Sequence, residues 1–254
     1  MVHLTEIYSE GLCAVQEEGG KWGYIDLNGN IVIPFDYLEA KNFVNELAPV
    51  KNDENKWGYI DKNGEIVIPF EYTNAEVFSD GVGRVANETE WGELWGYISK
   101  DGVMLTGFEY YSPEEFFDGL SVAGKYTGKG YIKKDGTPLT EFCYPFAYSF
   151  KNGVAFVEKG ELDFDYIDTT GKSIVPSGYE ASLHGYSSCD LYPIENTEGK
   201  TGYIDNKGNI VIEAIYSGSS GNFINGVAHV YKDEQEYYID EQENILFYIN
   251  RNAD

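Results

Sequence analysis

The most regular candidates for chemistry in this 254-residue chain are aspartates that precede an Asn-Gly pair. Asp26-Leu-Asn-Gly29 and Asp61-Lys-Asn-Gly64 bring carboxylate and amide oxygens together, which is how a calcium loop begins. The bidentate glutamate that closes an EF-hand loop is missing downstream. Turn chemistry explains the same residues, because Asp accepts backbone amides and Gly takes a left-handed backbone conformation. We therefore expect turns at these positions and no bound cation.

Histidine and cysteine, two other common reactive residues, occur three times each and are scattered along the chain. They are His3, His184 and His229, and Cys13, Cys143 and Cys189. Their spacing fits neither a zinc site nor a disulfide framework. The paired acids Glu114 and Glu115 carry no information in so acidic a chain, and phosphate-loop, nucleophile-elbow and metalloprotease motifs are missing. We expect a non-enzymatic protein without cofactor or metal.

The charge balance restricts the class of partner. The chain has 43 Asp and Glu against 18 Lys and Arg, a net charge of −25. Such a field repels nucleic acid and anionic membranes, and it attracts basic proteins. The sequence also has no run near the roughly 20 apolar residues of a membrane span. We expect a cytoplasmic protein whose partner is another protein, a basic one being favoured by the charge.

Internal repetition determines the elements that position these residues. The clearest copies are KWGYIDLNGNIVIPFDY from Lys21 and KWGYIDKNGEIVIPFEY from Lys56. Seven tyrosines recur at intervals of about 35 residues: Tyr24, Tyr59, Tyr97, Tyr131, Tyr166, Tyr203 and Tyr238. An aromatic block ending in Gly-Leu or Gly-Val precedes most copies, beginning at Tyr8, Phe43, Phe78, Phe117, Phe150 and Phe223. One domain, residues 1–254, then holds repeats at about 5–40, 41–75, 76–112, 113–146, 147–182, 183–218 and 219–254.

Each copy predicts three short antiparallel strands, because β-branched and aromatic residues lie between Gly, Asn and Pro. The first strand follows the aromatic block, the second is Trp-Gly-Tyr-Ile-Asp and the third is Ile-Val-Ile-Pro. The Asp-x-x-Gly segments predict a type I turn with a G1 bulge between the second and third strands. The turn at Asp240 has Glu243 in place of the glycine, which we interpret as a frayed terminal copy.

Prolines suggest how these strands are arranged. Pro34, Pro69 and Pro176 are predicted to close the third strand. Pro49 and Pro193 fall inside the first strand, which predicts a missing ladder hydrogen bond there and an edge strand. The same column varies, so we expect its side chains to face solvent, a channel or a concave surface. They are Ala14, Pro49, Arg84, Val122, Phe156, Pro193 and His229.

The segment KWGYIDKNGEIVIP from Lys56, with its related copies, resembles the WG repeat family of bacterial proteins. The resemblance covers nearly the whole chain, although copies four to seven lack the tryptophan. It implies tandem β-rich repeats and a role in protein interaction, and it supplies no catalytic residues.

Two architectures fit an all-β fold of seven three-stranded antiparallel repeats. One is an open superhelical, solenoid-like array, in which each copy packs on its neighbours. The alternative is a closed seven-bladed propeller, which a first strand rich in small residues would suit. A repeat of about 35 residues is short for a propeller blade, so we favour the open array.

Aromatic residues outside the repeat pattern are the candidates for recognition. Trp22, Trp57 and Trp95 recur in register and are expected to pack in the core. Residues that differ between copies, mostly near the loops joining the first two strands, are better placed to bind a partner. These candidates are Arg84, Trp91, Tyr126, Phe156, Phe164, His229 and Tyr231.

We predict a protein-interaction or scaffolding module with an acidic, aromatic-rich surface. Two alternatives stay open. One is an immunity or inhibitor protein against a basic toxin, and the other is a carbohydrate-binding module.

Overall fold

The computed structural model describes residues 8–182, 190–217 and 221–249, together with the short strand His3–Leu4. Every regular element in these residues is a β-strand, so the all-β prediction is confirmed. The described part of the chain contains no helix with the length and apolar character needed to cross a bilayer. His184, Cys189 and the start of the sixth aromatic block at Ser187 lie outside the described residues.

Close contacts divide the chain into two units, the first of which comprises residues 1–126 and 132–138. Its strands are β1 (His3–Leu4), β2 (Leu12–Gln16), β3 (Trp22–Asp26), β4 (Ile31–Tyr37), β5 (Glu39–Ala40), β6 (Ala48–Lys51), β7 (Trp57–Ile60), β8 (Ile66–Tyr72), β9 (Asn74–Ala75), β10 (Val82–Thr89), β11 (Gly92–Ser99) and β12 (Leu120–Lys125). Strands β1 to β4 form one antiparallel sheet in chain order, β5 to β8 form a second, and β9 to β11 form a third.

The second unit comprises residues 127–131 and 139–254, and the division falls within β13 (Gly128–Lys133). The remaining strands are β14 (Phe146–Ala147), β15 (Val154–Gly160), β16 (Asp163–Asp168), β17 (Tyr179–Ala181), β18 (Tyr192–Asn196), β19 (Thr201–Ile204), β20 (Ile210–Tyr216), β21 (Val227–Lys232), β22 (Gln235–Asp240) and β23 (Ile245–Ile249). They form three antiparallel sheets in chain order: β14–β16, β17–β20 and β21–β23.

The number of strands varies from copy to copy, where three were predicted throughout. The short strands β1, β5 and β17 each add a fourth strand beside the first strand of a copy. In copies three, four and five the predicted third strand is reduced to isolated bridges, such as Trp95 with Tyr110, Lys129 with Tyr144, and Ile167 with Ser173.

The first strand is central in the sheets of copies one, two, three, five and six, so the prediction that it forms an edge is wrong there, whereas β12 and β21 have one partner strand each. Strand β6, which contains Pro49, lies between β5 and β7. The expectation of an open surface is wrong as well, because Ala14, Pro49, Val122 and Pro193 are all buried. Pro34 and Pro69 do not close the third strand either. They lie in the middle of β4 and β8, which are edge strands and therefore tolerate proline.

The hydrophobic core lies between successive copies. One cluster joins Ala14, Tyr24 and Ile33 of the first copy to Phe43 and Val50 of the second. Equivalent clusters join copies two and three, five and six, and six and seven. Each copy is too small to bury its own apolar face, and its neighbour completes the burial.

The shared tyrosines cross this interface with both the ring and the hydroxyl group. The Tyr59 ring meets Phe78 of the next copy edge to face, with 5.0 Å between centroids. Its hydroxyl donates to the Glu76 backbone oxygen at 2.8 Å. The same hydroxyl–carbonyl bond recurs 17 or 18 residues after four other shared tyrosines, at Tyr24, Tyr97, Tyr131 and Tyr203. Burial raises the pKa of Tyr59 well above its ordinary value, so the hydroxyl stays a neutral donor.

This hydroxyl explains why proline is tolerated inside a central strand. The Lys41 N–H donates to the Pro49 carbonyl at 3.0 Å. In a regular ladder the Lys41 carbonyl would receive the N–H of residue 49, which proline lacks. The Tyr24 hydroxyl of the preceding copy donates to that carbonyl at 2.8 Å. The missing ladder bond was predicted correctly, and the tyrosine hydroxyl replaces it at the Lys41 carbonyl.

The predicted Asp-x-x-Gly turns are confirmed. The Gly29 N–H donates to the Asp26 carbonyl at 3.0 Å, and Gly29 has a φ of 81°. The Asp26 carboxylate accepts the backbone amides of Asn28 and Asn30. Hydrogen bonds from the side chain and backbone of Asn30, followed by those of Asn28, hold the pKa of Asp26 below its ordinary value. The carboxylate is therefore occupied by its own turn.

Turn glycines also contact the preceding copy. A methyl group added at Gly64 would lie 3.4 Å from Cγ2 of Ile33, and one at Gly102 would lie 3.4 Å from Ile68. Glu243 has the corresponding left-handed backbone, with a φ of 62°, and its carboxylate accepts the Tyr216 hydroxyl at 2.7 Å. The last turn is thus bonded to the sixth copy, and its interpretation as frayed is wrong.

A different contact requires the glycine of the Trp-Gly pair. In the second copy β7 and β8 change register around Gly58, which brings the β8 backbone against its α-carbon. A methyl group at Gly58 would lie 2.7 Å from the Ile68 oxygen, and one at Gly23 would lie 2.6 Å from the Ile33 oxygen. Only glycine fits this approach. The adjacent Trp57 is buried as predicted, whereas Trp22 and Trp95 are half-buried.

One aromatic position was assigned to the wrong residue. Phe116, not Phe117, occupies the column of Phe43 and Phe78. It is 3% exposed and packs edge to face on Tyr97, whereas Phe117 is 50% exposed. Because the two phenylalanines are adjacent, the sequence decides between them only when the aromatic-x-x-Gly spacing is applied strictly, and that spacing selects Phe116.

We predict that Gly58→Ala lowers the free energy of unfolding by about 1–3 kcal/mol, because the new methyl group displaces the β8 backbone. The urea midpoint of the purified variant measures this loss. Gly107→Ala is the matched control, since a methyl group there meets open space. Equal stability of the two variants would contradict the close approach at Gly58.

We predict that Tyr59→Phe costs about 1–2 kcal/mol, because it leaves the Glu76 carbonyl without its hydroxyl donor while keeping the ring. Urea denaturation measures the effect. Tyr126→Phe, which alters an exposed ring, should be within about 0.5 kcal/mol of the wild type. A Tyr59→Phe protein as stable as that control would show that the hydroxyl bond contributes nothing.

Candidate functional site

Trp91 lies at the tip of the longest hairpin in the first unit. Strands β10 and β11 pair from Val82 with Ser99 to Thr89 with Gly92, which leaves a two-residue loop. The Thr89 hydroxyl accepts the Trp91 N–H at 3.1 Å and donates to the Gly92 carbonyl at 2.8 Å. Gly92 closes the loop with a φ of 95°. These contacts fix the loop backbone and leave the indole 72% exposed.

Tyr126 occupies the corresponding tip in the next copy, between β12 and β13, and its side chain is 93% exposed. The preceding Lys125 is anchored, because its ammonium group bonds Glu109 at 2.6 Å and lies 5.2 Å from the centre of the Tyr110 ring. Trp91 and Tyr126 thus lie at the tips of hairpins in successive copies. We call these two residues the aromatic tips.

The surroundings of Trp91 are acidic. Glu88, Glu90 and Glu93 are all exposed on the same hairpin, and the Thr73 hydroxyl bonds Glu93 at 3.0 Å. An exposed indole beside carboxylates suits an apolar or aromatic group next to Lys or Arg, because the ring attracts cations and the acids pair with them. Arginine can stack on the ring and pair with a carboxylate at the same time.

Phe156 and Phe164 are brought together in the second unit. Their rings stack with centroids 5.3 Å apart and planes 9° from parallel, and Phe156 also lies 5.4 Å from Tyr166 and 5.8 Å from Tyr148. Both phenylalanines are half-buried. This cluster serves packing first and presents only part of its aromatic surface.

His229 and Tyr231 are also neighbours, with ring centroids 4.8 Å apart. The imidazole stacks on the shared Tyr238 at 4.8 Å, and its Nε2 lies 3.2 Å from the carboxylate of Glu236, which is buried. His229 therefore belongs to the face of the seventh copy and not to a hairpin tip.

Arg84 points into the fold. Its guanidinium donates to the Pro113 carbonyl at 2.9 Å and lies 3.4 Å from Glu115, both in the fourth copy. With 17% of its side chain exposed, it links two copies. The seven candidate residues thus fall into exposed tips, half-buried clusters and this inter-copy link.

Exposed aliphatic side chains at the sheet edges were missed by the sequence reasoning. Ile31, Val32, Ile66 and Val67 all lie exposed on the edge strands β4 and β8. The repeated Ile-Val-Ile segment looks fully apolar, but only its third residue faces the core. Alternation along the strand could have separated Val32 and Val67 from the buried third residue, but it would have placed Ile31 and Ile66 on the buried side.

A metal centre has no support among the described residues. His, Cys, Asp and Glu side chains there do not gather in groups of three that could hold an ion. The turn aspartates, which looked most like calcium ligands in the sequence, bind the amides of their own turns.

The sequence model of the family described as WG containing repeat matches residues 22–56, 57–91, 130–162 and 202–235, which together make up just over half of the chain. The chain belongs to this family. Its matched segments contain the glycines that approach the third strand, at Gly23, Gly58, Gly130 and Gly202. A comparison with curated proteins found no match.

Among solved structures, several resemble this WG repeat chain loosely over nearly its whole length. The computationally designed protein Ika8 is 12% identical with a TM-score of 0.40, and 97% of this chain and 85% of that chain are covered. BamB from Moraxella catarrhalis is 13% identical with a TM-score of 0.42, and 98% and 90% are covered. Similarity at this level indicates no shared function.

Proposed function

We propose that this WG repeat protein is a non-enzymatic interaction module whose aromatic tips contact a protein partner. One observation carries the proposal. Six of the seven shared tyrosines are fully buried, whereas Trp91 and Tyr126 are largely exposed at hairpin tips. Exposed Trp and Tyr have no packing role that would explain them, and these residue types dominate binding energy at interfaces.

The electrostatics favour a basic partner. The net charge of −25 raises the rate of encounter with cationic proteins and disfavours nucleic acid. Near Trp91, exposed glutamates would pair with Lys or Arg while the indole covers an apolar group. An inhibitor of a basic toxin is one specific form of this proposal. A carbohydrate ligand is the competing class, because an exposed indole can also stack on a sugar ring.

We predict that Trp91→Ala weakens binding to the partner by about 10-fold or more, while the melting temperature stays that of the wild type. The partner is first captured from native lysate on immobilised protein, and its affinity for each variant is then measured by titration. Tyr126→Ala should weaken binding as well. Phe117→Ala, which removes an exposed ring away from the tips, is the matched control.

Two outcomes would contradict the proposal. Unchanged affinity of the Trp91→Ala and Tyr126→Ala proteins would place the binding site elsewhere. Binding to a glycan array that Trp91→Ala abolishes, without a protein ligand, would indicate the carbohydrate-binding alternative.

We further propose that the seven copies form an open array and not a closed ring. The support is local. Phe247 of the last copy is 59% exposed. Ile33 and Ile68, which hold the same position in earlier copies, are covered by the copy that follows. In a closed ring every copy has a neighbour on both sides.

We predict that small-angle X-ray scattering gives a radius of gyration well above the roughly 18 Å expected for a compact domain of this length. The value is extrapolated to zero protein concentration, so that association between chains does not contribute. A value near that of a compact domain would favour the closed ring.

A further inference from the structure

The interface between successive copies has two different halves. One half, which we call the forward face, consists of the shared tyrosine and the third-strand residue in the column of Ile33. The other half, the receiving face, consists of the block aromatic in the column of Phe43 and the turn glycine in the column of Gly64. In the first interface Tyr24 packs on Phe43 with centroids 4.9 Å apart, and Gly64 lies against Ile33. The two halves are therefore complementary and not interchangeable.

The forward face of the seventh copy is uncovered. Ile33, Ile68 and Ile212 are almost fully buried, whereas Phe247 in the same column is 59% exposed. The shared Tyr238 is half-buried, whereas the other six shared tyrosines are fully buried. Ile245 and Leu246 of the same strand are exposed as well, but so are Ile31 and Val32 in a copy that has a following neighbour. Phe247 and Tyr238 are therefore the residues that distinguish the seventh copy.

The receiving face of the first copy is uncovered in the same columns. Tyr8 stands where Phe43, Phe78 and Phe223 are buried, and it is 42% exposed. Gly29 stands where Gly64 meets Ile33, and a methyl group added there would meet nothing within 4 Å. The first copy thus presents the half of the interface that the seventh copy lacks.

We propose that the forward face of the seventh copy binds the receiving face of the first copy in a second molecule of this chain. The contact continues the interface that joins successive copies, with Tyr238 and Phe247 covered by the Tyr8 region of the other molecule. The association is head to tail. Two different faces meet, so it extends into longer chains of molecules or closes into a ring of several molecules.

The proposal rests on the open array, because a ring closed within one molecule would cover both faces itself. It is independent of the aromatic tips, which lie outside both faces. Pairing of two exposed edge strands is the other way in which apolar sheets associate. That association would use the β23 edge of both molecules and would not need Tyr8.

Sedimentation velocity over about a hundredfold range of protein concentration tests the proposal, because mass action shifts the population of associated species. We expect the wild-type chain to sediment faster as its concentration rises. Phe247→Asp destroys the forward face, and Tyr8→Asp destroys the receiving face. Each substitution replaces an exposed ring, so both variants should keep the wild-type urea midpoint and should sediment as monomers.

Mixing the two variants gives the decisive measurement. The Phe247→Asp protein keeps an intact receiving face, and the Tyr8→Asp protein keeps an intact forward face. An equimolar mixture should therefore form a species of two molecules and nothing larger. Phe117→Asp, an exposed ring outside both faces, should associate like the wild type.

Three results would overturn the proposal. The first is a wild-type chain that stays monomeric at every concentration. In that case its radius of gyration shows whether the open array is wrong as well. Association that survives Tyr8→Asp but not Phe247→Asp indicates edge pairing. A mixture that stays monomeric, from variants that have both lost association, means that the two faces do not bind each other.

Discussion

Each shared tyrosine buries its ring between two copies and still carries a hydroxyl group that must find an acceptor. In six copies the acceptor is a backbone carbonyl of the next copy. In the first of these interfaces it is the Lys41 carbonyl, opposite Pro49, which has no N–H to supply. The ring contributes apolar burial and the hydroxyl fixes the position of the neighbour. A small sheet that could not fold by itself thereby gains both stability and register from the following copy.

The two glycine columns follow from this packing. In copies two to six the turn glycine lies against the third-strand segment of the preceding copy, and Glu243 takes its place in the seventh. The glycine of Trp-Gly lets the third strand of its own copy come close, as at Gly23 and Gly58. Copy five lacks the second glycine. Asp165 occupies the position, and its buried carboxylate is held by Lys159 and by Ser173. The third strand there retains a single bridge, between Ile167 and Ser173.

The sequence predicted what depends on local periodicity and missed what depends on sheet order. The Asp-x-x-Gly turns, the second strand and the buried Trp57 follow from residue types at fixed spacing, and all of them are present. Pro49 correctly indicated a missing ladder bond. The inference from that bond to an edge strand failed, because the short strand β5 and the tyrosine of another copy are invisible in the local pattern. The burial of Ala14 and Val122 was missed for the same reason, since their neighbours are some 35 residues away.

Recognition must use positions that the contact between copies does not constrain. The tyrosine and turn-glycine columns pack against a neighbouring copy, whereas the hydrogen bonds that fix the Trp91 loop stay within its own hairpin. A tip can therefore carry a Trp in one copy and Glu-Gly in another at little cost to the fold. Arg84 marks the boundary of this freedom. It varies between copies like a recognition residue, yet its guanidinium is bonded to the next copy. Variation alone therefore does not identify the binding surface, and exposure at a tip is the additional requirement that separates Trp91 and Tyr126 from the other candidates.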